Sequence, residues 1–253
     1  MYDDYMIPII AIANLVNGIL SAFLTLRLYM RYRVRASENY PTAGVRYFIA
    51  LYFVFTILWL LYSTPGLVTN DLTWIMVFQS LADLFVLIGA MVGLQIACFA
   101  LNKSNLAAML SIVIAACGVA YIFGLAFSHP PSIREVIPPY VYWHPATPNW
   151  LRVMNGIVAA VGSLTFIITF AVLGLRVKSN AVVRRRSFFL ATGMFFLFLA
   201  SLIFFLFATD GFALTMIASL LGIAGLFSML RGIPYRDEHN EQMATYLKES
   251  ATT

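Results

Sequence analysis

Charged residues are scarce in this chain. Only 11% of the 253 residues are Asp, Glu, Lys or Arg, whereas 61% are hydrophobic. A soluble domain of this length carries about 25% charged and about 45–50% apolar residues. One interior core cannot hold the excess apolar surface, so the composition excludes a soluble globular protein and requires a surface that faces lipid.

Lysine and histidine are missing from the apolar stretches, and their absence excludes two classes of cofactor protein. All six of these residues lie elsewhere: Lys103, Lys178, Lys248, His129, His144 and His239. A haem held between membrane helices needs buried axial ligands, usually His. A retinal Schiff base needs a buried lysine amine. We therefore predict no cofactor and no metal site.

Catalytic and transport signatures are also missing. The two cysteines, Cys98 and Cys117, fall inside apolar stretches, which does not indicate a disulfide framework. No glycine-framed nucleophile, HExxH motif or pair of intramembrane carboxylates occurs, so we predict that the protein is not an enzyme. Many transporters have spans broken by Gly or Pro. Here Pro8 and Pro65 lie at span ends, which disfavours a transporter.

What the chain does contain is seven long apolar stretches. Each has around 20 or more largely apolar residues, enough for a helix to cross about 30 Å of hydrocarbon. We predict an all-α polytopic membrane protein, with a transmembrane domain over residues 1–230 and a cytoplasmic amphipathic tail over 231–253. The predicted spans are Ile7–Leu28, Tyr47–Gly66, Trp74–Leu101, Leu106–Phe127, Trp150–Leu175, Ser187–Ala208 and Phe212–Leu230.

The basic residues predict an orientation. Fourteen of the sixteen Lys and Arg residues fall on alternating connections, and only Arg134 and Arg152 fall on the others. Because positive connections stay cytoplasmic, we predict an external N-terminus and a cytoplasmic C-terminus in the inner membrane of a prokaryotic cell. The net charge of +5 is then explained by topology and by attraction to anionic lipid headgroups, and we predict no nucleic-acid partner.

Two segments differ from the spans in composition. Ser128–Asn149 holds six of the ten prolines, which predicts an extended external loop without regular structure. That loop either closes the bundle or serves as a lid or docking surface. In the tail, Met243, Tyr246 and Leu247 share one helical face, which predicts a short amphipathic helix on the membrane or on a partner protein.

Asp83 is the only formally charged residue well inside a predicted span. An intramembrane charge is costly and normally faces the bundle interior with a partner. Two interpretations stay open. Asp83 is a structural acid bonded to Asn14 or Asn17 of the first helix, or it forms the polar floor of a ligand pocket or a pH-sensitive switch. Gln79 lies one turn away on the same face.

Aromatic residues near the predicted external end also allow two interpretations. Trp59, Tyr62 and Trp74 read first as an interfacial belt, and they could equally wall a cavity above Asp83. Small residues in the last span have the spacing of close helix packing: Ala218, Ser219, Gly222 and Gly225. The candidate ligand-binding residues are Asp83, Gln79, Asn14, Asn17, Trp59 and Tyr62.

The second half of the chain has a recognisable pattern. A predicted polar cytoplasmic turn, Val182-Val183-Arg184-Arg185-Arg186, leads into Ser187-Phe188-Phe189-Leu190-Ala191-Thr192-Gly193, and the last span ends in Leu230-Arg231-Gly232-Ile233. Pro41 and Arg46 precede the second span, and Trp59 lies within it. This arrangement resembles the seven-helix N-terminal sensor region of bacterial and archaeal histidine kinases. The resemblance implies a stand-alone sensor module, since His239 does not lie in a phosphoacceptor box, and such a module must signal through another protein.

The leading interpretation is therefore a receptor-like membrane sensor that takes an apolar, weakly cationic or lipid-like ligand near Asp83, Gln79 and the first helix. Its expected partners are membrane lipids and a cytoplasmic or membrane protein that contacts the basic turns and the tail. The alternatives are a non-catalytic subunit of a larger membrane complex and, third, a small-molecule transporter.

Overall fold

Helices account for most of the molecule. The computed structural model describes residues 6–37, 43–128, 132–145, 147–177, 180–207 and 212–233. The elements in these residues are α1 Ile9–Ser37, α2 Ala43–Val68, α3 Leu72–Ala100, α4 Ser104–Ser128, β1 Ser132–Ile137, β2 Tyr140–Pro145, α5 Asn149–Arg176, α6 Ala181–Phe207 and α7 Phe212–Gly232. All seven helices are long and apolar enough to cross a membrane, which confirms that part of the prediction. The predicted amphipathic tail helix lies outside the described residues.

Two helices continue well beyond their predicted spans. Helix α1 runs to Ser37 and so includes Arg27, Arg31 and Arg33. Helix α6 begins at Ala181, so the segment 182–186, predicted as a polar turn, is helical. The Asn180 side chain accepts hydrogen bonds from the backbone N–H groups of Val182 and Val183 at 3.1 and 3.0 Å and caps this start. The predicted spans end where the apolar residues end, whereas backbone hydrogen bonding continues into the polar residues beyond them, so both helices are longer than their predicted spans.

Six helices form a closed ring, and the seventh lies outside it. In order around the ring, α1, α2, α3, α5, α6 and α7 each pack on the next, and α7 returns to α1. Helix α4 packs on α3 and touches α5 only lightly. Its buried residues are Ile114, Tyr121 and Gly124. The interior of the molecule is therefore bounded by six helices.

The main core fills the ring near the end that carries the arginines of α1 and α6, which we call the arginine end. Its fully buried members include Leu24, Tyr52, Phe166 and Leu226. The Tyr52 hydroxyl donates to the backbone carbonyl of Leu226 at 2.7 Å, which satisfies a polar group in the apolar interior. The other end of the ring, called the hairpin end because β1 and β2 lie there, is less completely filled.

Helices α6 and α7 approach closely through glycine. A Cβ at Gly193 would lie 2.6 Å from the backbone nitrogen of Met229, and one at Gly225 would lie 2.8 Å from the carbonyl oxygen of Gly193. Neither position has room for a side chain. The close packing predicted for the small residues of the last span is confirmed at Gly225 and at Gly222, whose Cβ would lie 2.9 Å from the Trp59 ring.

Gly193→Ala is expected to lower the free energy of unfolding by about 1–3 kcal/mol, because the new methyl group forces α6 and α7 apart. Thermal unfolding of the purified protein in detergent would measure the loss. Gly118→Ala on α4 is the matched control, since a Cβ there meets only the side chain of Leu87, at 3.7 Å. Equal losses in the two variants would contradict the close packing of α6 on α7.

The segment between α4 and α5 is an antiparallel hairpin. Ser132 pairs with Pro145 at its open end and Ile137 with Tyr140 beside the turn, whose Pro138–Pro139 peptide bond is cis. Ile7 adds a further pairing, because its backbone N–H donates to Pro139 and its carbonyl accepts from Val141. The predicted loop without regular structure was wrong. Pro138, Pro139 and Pro145 occupy the turn and a strand end, where strands tolerate a missing N–H group.

Candidate ligand-binding site

Asp83 lies in α3 between two tyrosines from neighbouring helices. The Tyr121 hydroxyl of α4 donates to Asp83 Oδ2 at 2.6 Å, and the Tyr62 hydroxyl of α2 donates to Oδ1. All three side chains are buried. We call Tyr62, Asp83 and Tyr121 the Asp83 cluster. It satisfies both carboxyl oxygens without a lysine or arginine and joins α2, α3 and α4 at one depth.

The asparagines proposed as partners of Asp83 bind elsewhere. Asn14 Oδ1 accepts from the Ser219 hydroxyl at 2.9 Å, and Asn17 Nδ2 donates to the Ser219 carbonyl at 3.2 Å. Both bonds join α1 to α7. The interpretation in which Asp83 bonds to Asn14 or Asn17 is therefore wrong, because α3 packs mainly against α2, α4 and α5, and the two asparagines bond to α7.

Tyr121 was missed by sequence reasoning. It lies in an apolar helix, where a tyrosine is normally counted with the core aromatics. One signal was present: Tyr121 lies seven residues from the hairpin end of α4 and Asp83 eleven residues from the hairpin end of α3, so their depths differ by only about one helical turn. A buried phenol needs a hydrogen-bond partner, and Asp83 is the intramembrane acceptor that lacked one.

Gln79 holds the hairpin. Its amide Nε2 donates to the Trp143 carbonyl at 3.1 Å, and its Oε1 accepts from the Ser132 hydroxyl at 3.1 Å. One buried side chain of α3 thus binds both strands. Within the hairpin, the Tyr142 hydroxyl donates to Glu135, and burial together with this bond raises the pKa of Tyr142 above its usual value. Tyr142 therefore remains a proton donor at neutral pH.

Gln79→Leu is expected to release the hairpin from α3 while the helices stay folded, because both polar contacts are lost together. Hydrogen exchange of the backbone amides in β1 and β2 should become faster. Gln95→Leu is the matched control, since Gln95 lies on the same helix and makes one longer bond, 3.4 Å, to Ser111 of α4. Unchanged exchange in the hairpin of the Gln79 variant would show that the strands are held by other contacts.

A cavity of about 80 Å³ occupies the hairpin half of the ring. All six ring helices contribute to its wall, which has a mainly apolar lining. The described lining residues include no Asp, Glu, Lys, Arg or His. The lining residues are Asn14, Phe55, Leu58, Trp59, Tyr62, Val86, Gly89, Ala90, Gly93, Ala159, Gly162, Ser163, Met194, Leu197, Ala200, Ser201, Phe204, Phe205, Thr215, Ala218 and Ser219. We call this space the central cavity.

Polar groups lie unevenly around the central cavity. Asn14, Thr215 and Ser219 lie together where α1 meets α7. The indole Nε1 of Trp59 is buried and has no hydrogen-bond partner among the described residues. The opposite wall, formed by α5 and α6, consists mainly of apolar residues and includes two serines. The cavity therefore has an asparagine and an unused indole donor on one side and a mostly apolar wall on the other.

The sequence-predicted site residues divide into three groups. Asn14, Trp59 and Tyr62 line the central cavity, which favours the cavity-wall interpretation of Trp59 and Tyr62 over an interfacial belt. Trp74, the third aromatic residue of that prediction, is exposed and is not among the residues that line the cavity. Gln79 faces a separate space of about 30 Å³ beneath the hairpin, which Asn14 and Tyr62 also line. The other two candidates contribute indirectly. Asp83 contacts Tyr62, and Asn17 holds Ser219.

A row of aromatic rings joins α6 to the Asp83 cluster. The rings of Phe205 and Phe204 lie 5.7 Å apart between centroids, and those of Phe204 and Tyr62 lie 4.9 Å apart. Phe205, Phe204 and Tyr62 all line the central cavity. We call them the aromatic row. Sequence reasoning missed the two phenylalanines, since nothing separates them from the other apolar residues of that span.

Comparison with known proteins supplies no relative. No protein-family model, no curated protein and no solved structure matches this chain. Within residues 6–233, leaving out the undescribed gaps, no group of three or more His, Cys, Asp or Glu is placed to hold a metal ion. The site therefore consists of a cavity with a polar side and a buried carboxyl, Asp83, that contacts the cavity wall through Tyr62.

Proposed function

We propose that the protein is a receptor-like membrane sensor that binds a small apolar or lipid-like ligand in the central cavity. The observation that carries the proposal is the position of Tyr62. Its ring lines the cavity, while its hydroxyl binds Asp83. A ligand that moves this ring changes a buried hydrogen-bond cluster that joins α2, α3 and α4. If the ligand binds more tightly to one arrangement of this cluster than to the other, binding shifts the equilibrium between the two conformations of the bundle.

Helix α6 is the element that carries the response. Near the hairpin end it contributes Phe204 and Phe205 to the aromatic row, and at the arginine end its first two turns carry three consecutive arginines. Its glycine contacts with α7 join the two helices tightly. A tightly packed pair moves as one body rather than deforming, so a displacement at Phe204 reaches the arginine end.

The distribution of basic residues supports the orientation that we propose. With the arginine end in the cytoplasm, the hairpin end faces outward and the basic start of α6 faces the cell interior. The bundle then lies in the inner membrane of a prokaryote, and the response is read by a partner protein at the arginine end. The resemblance to histidine-kinase sensor regions supports this arrangement, because those bundles pass a signal to a cytoplasmic domain.

Native mass spectrometry of the protein, extracted gently in its own lipids, tests the binding step. A retained small-molecule or lipid adduct is expected. It should disappear in Ala200→Leu, which fills the cavity, and persist in Ala116→Leu, the same change on the exposed side of α4. A fixed protein partner with no adduct would overturn the proposal in favour of a non-catalytic subunit of a larger complex.

The response step needs a reporter at the arginine end. Val182→Cys, labelled with an environment-sensitive fluorophore after Cys98 and Cys117 are replaced by alanine, reports movement at the start of α6. Addition of the recovered adduct to stripped protein should shift the emission. Tyr62→Phe should keep the adduct and lose the shift, because it removes the bond to Asp83 and keeps the ring. An equal shift in this variant would exclude the Asp83 cluster from signalling.

A further inference from the structure

A groove of about 180 Å³ opens between α5 and α6 on the side away from the ring interior. It lies in the hairpin half, along Val153–Ala160 of α5 and Phe198–Phe205 of α6. Its lining is almost wholly apolar, and Ile157 at its edge is strongly exposed. In a membrane this surface faces hydrocarbon. We call it the seam groove.

The seam groove and the central cavity share part of their walls. Ala159, Ser201 and Phe205 line both spaces. The first two are small, so the bulk that separates the two spaces is the Phe205 ring. That ring is 5% exposed. Gly156 faces it, since a Cβ there would lie 3.7 Å from the Cβ of Phe205. Rotation of one side chain would join the groove to the cavity.

The walls define the chemistry of an occupant. The groove admits a hydrocarbon chain, because its lining offers almost no polar atoms. The central cavity, at about 80 Å³, is far below the roughly 300–1,000 Å³ of clefts that hold drug-sized molecules. It therefore favours one thin chain over a multi-ring molecule or a two-chain phospholipid.

The polar side of the cavity defines the other end of that molecule. Around the ring, α1 is three helices away from α5 in either direction, so Asn14 lies across the cavity from the seam groove. Asn14 and Thr215 lie there, and Trp59 Nε1 is a donor that has no acceptor in the described part of the chain. A buried donor left unpaired destabilises the folded state, and a ligand oxygen would supply the missing acceptor. The charge-free lining requires a neutral head.

We propose that the α5–α6 seam is the entrance for a single-chain neutral amphiphile, whose chain passes Phe205 and whose oxygen-bearing head reaches Asn14 and Trp59. This inference deepens the proposed function and rests on the same cavity. It assigns the ligand class, a fatty alcohol or a related single-chain lipid, and a route through the membrane rather than through the hairpin.

Quenching of tryptophan fluorescence tests the route. In a variant that retains only Trp59, with Trp74, Trp143 and Trp150 replaced by phenylalanine, the probe is a fatty alcohol brominated along its chain, added to nanodiscs. Saturable quenching of Trp59 is expected. A two-chain phospholipid with the same bromination should quench far less at equal bromine content. Equal quenching by both lipids would overturn the inference, because it would mean ordinary contact with the bilayer.

Variants of the seam decide whether the groove is the entrance. Gly156→Leu fills the groove next to Phe205 and should abolish saturable quenching, while Gly118→Leu, the same change on α4, should leave it intact. Ala160→Phe is a second block on the same groove and replaces Gly156→Leu if that variant unfolds on heating earlier than the Gly118 control. Phe205→Ala should speed quenching. Undiminished quenching in a folded blocking variant overturns the route.

The two proposals fail in different ways. If the blocking variants abolish quenching but the fluorophore at Val182→Cys does not respond to the alcohol, the entrance stands and the sensor function fails. If a native adduct is retained and lost in Ala200→Leu, while the blocked seam leaves both loading and quenching unchanged, the binding site stands and the entrance is wrong.

Discussion

Asp83→Leu is expected to destabilise the folded bundle by roughly 2–4 kcal/mol. The substitution removes the acceptor of two buried phenols, Tyr62 and Tyr121, and a buried hydroxyl that loses its acceptor costs about 1–2 kcal/mol. Equilibrium unfolding in mixed lipid and detergent micelles, titrated with a denaturing detergent, would measure the difference from the native protein.

The control for this prediction removes the donors together with the acceptor. In the triple variant with Asp83→Leu, Tyr62→Phe and Tyr121→Phe, no polar group of the cluster remains unpaired, so most of the lost stability should return. Asp83→Asn should fold as well, because an amide oxygen still accepts one phenol. If the triple variant is no more stable than Asp83→Leu, the loss comes from the shape of the site and not from unpaired hydroxyls.

Phe204→Leu is expected to separate binding from response. The leucine keeps an apolar side chain at the cavity wall, so the ligand should still bind. The aromatic ring that lies 4.9 Å from Tyr62 is lost. The coupling free energy between the cavity and the arginine end should therefore fall by about 1–3 kcal/mol, the range typical of linked sites. The measurement compares adduct retention in native mass spectrometry with the emission shift at Val182→Cys.

Phe195→Leu is the matched control for Phe204→Leu, since Phe195 lies on the same helix with its ring exposed to the outside of the bundle. It should preserve both binding and response. Loss of adduct in Phe204→Leu would make this phenylalanine part of the binding surface alone. A full response in that variant would remove the aromatic row from the signalling route.

The helices themselves could be predicted from sequence, and their ends could not. Seven apolar runs of sufficient length require seven spans, because a backbone in hydrocarbon must satisfy its own hydrogen bonds. Hydropathy measures contact with lipid, and helices such as α1 and α6 continue into the polar surroundings. The hairpin was missed for a related reason. Its prolines predict a lack of regular structure, whereas Pro138 and Pro139 form the turn that connects the two strands.

The candidate site was predicted in its members and not in its contacts. A lone intramembrane carboxyl such as Asp83 stands out in any apolar sequence, and so do Gln79 and Asn14. Which partner each one meets depends on the order of helices around the ring, and helical spacing within one span carries no information about that order. Because α4 packs on α3 from outside the ring, Tyr121 donates a hydrogen bond to Asp83. Asn14 instead accepts one from Ser219 of α7.

The sequence by itself determined that the chain makes seven membrane-length helices, where its charges concentrate and which polar residues are buried at a cost. Those properties follow from composition and spacing, because the free energy of transfer from water to lipid is set by each residue's own side chain. Only the tertiary structure decided that six helices enclose a cavity, that Tyr62 joins its wall to Asp83, and that Phe205 separates it from the α5–α6 seam. Such contacts are made between residues distant in the chain, and packing selects them by fit.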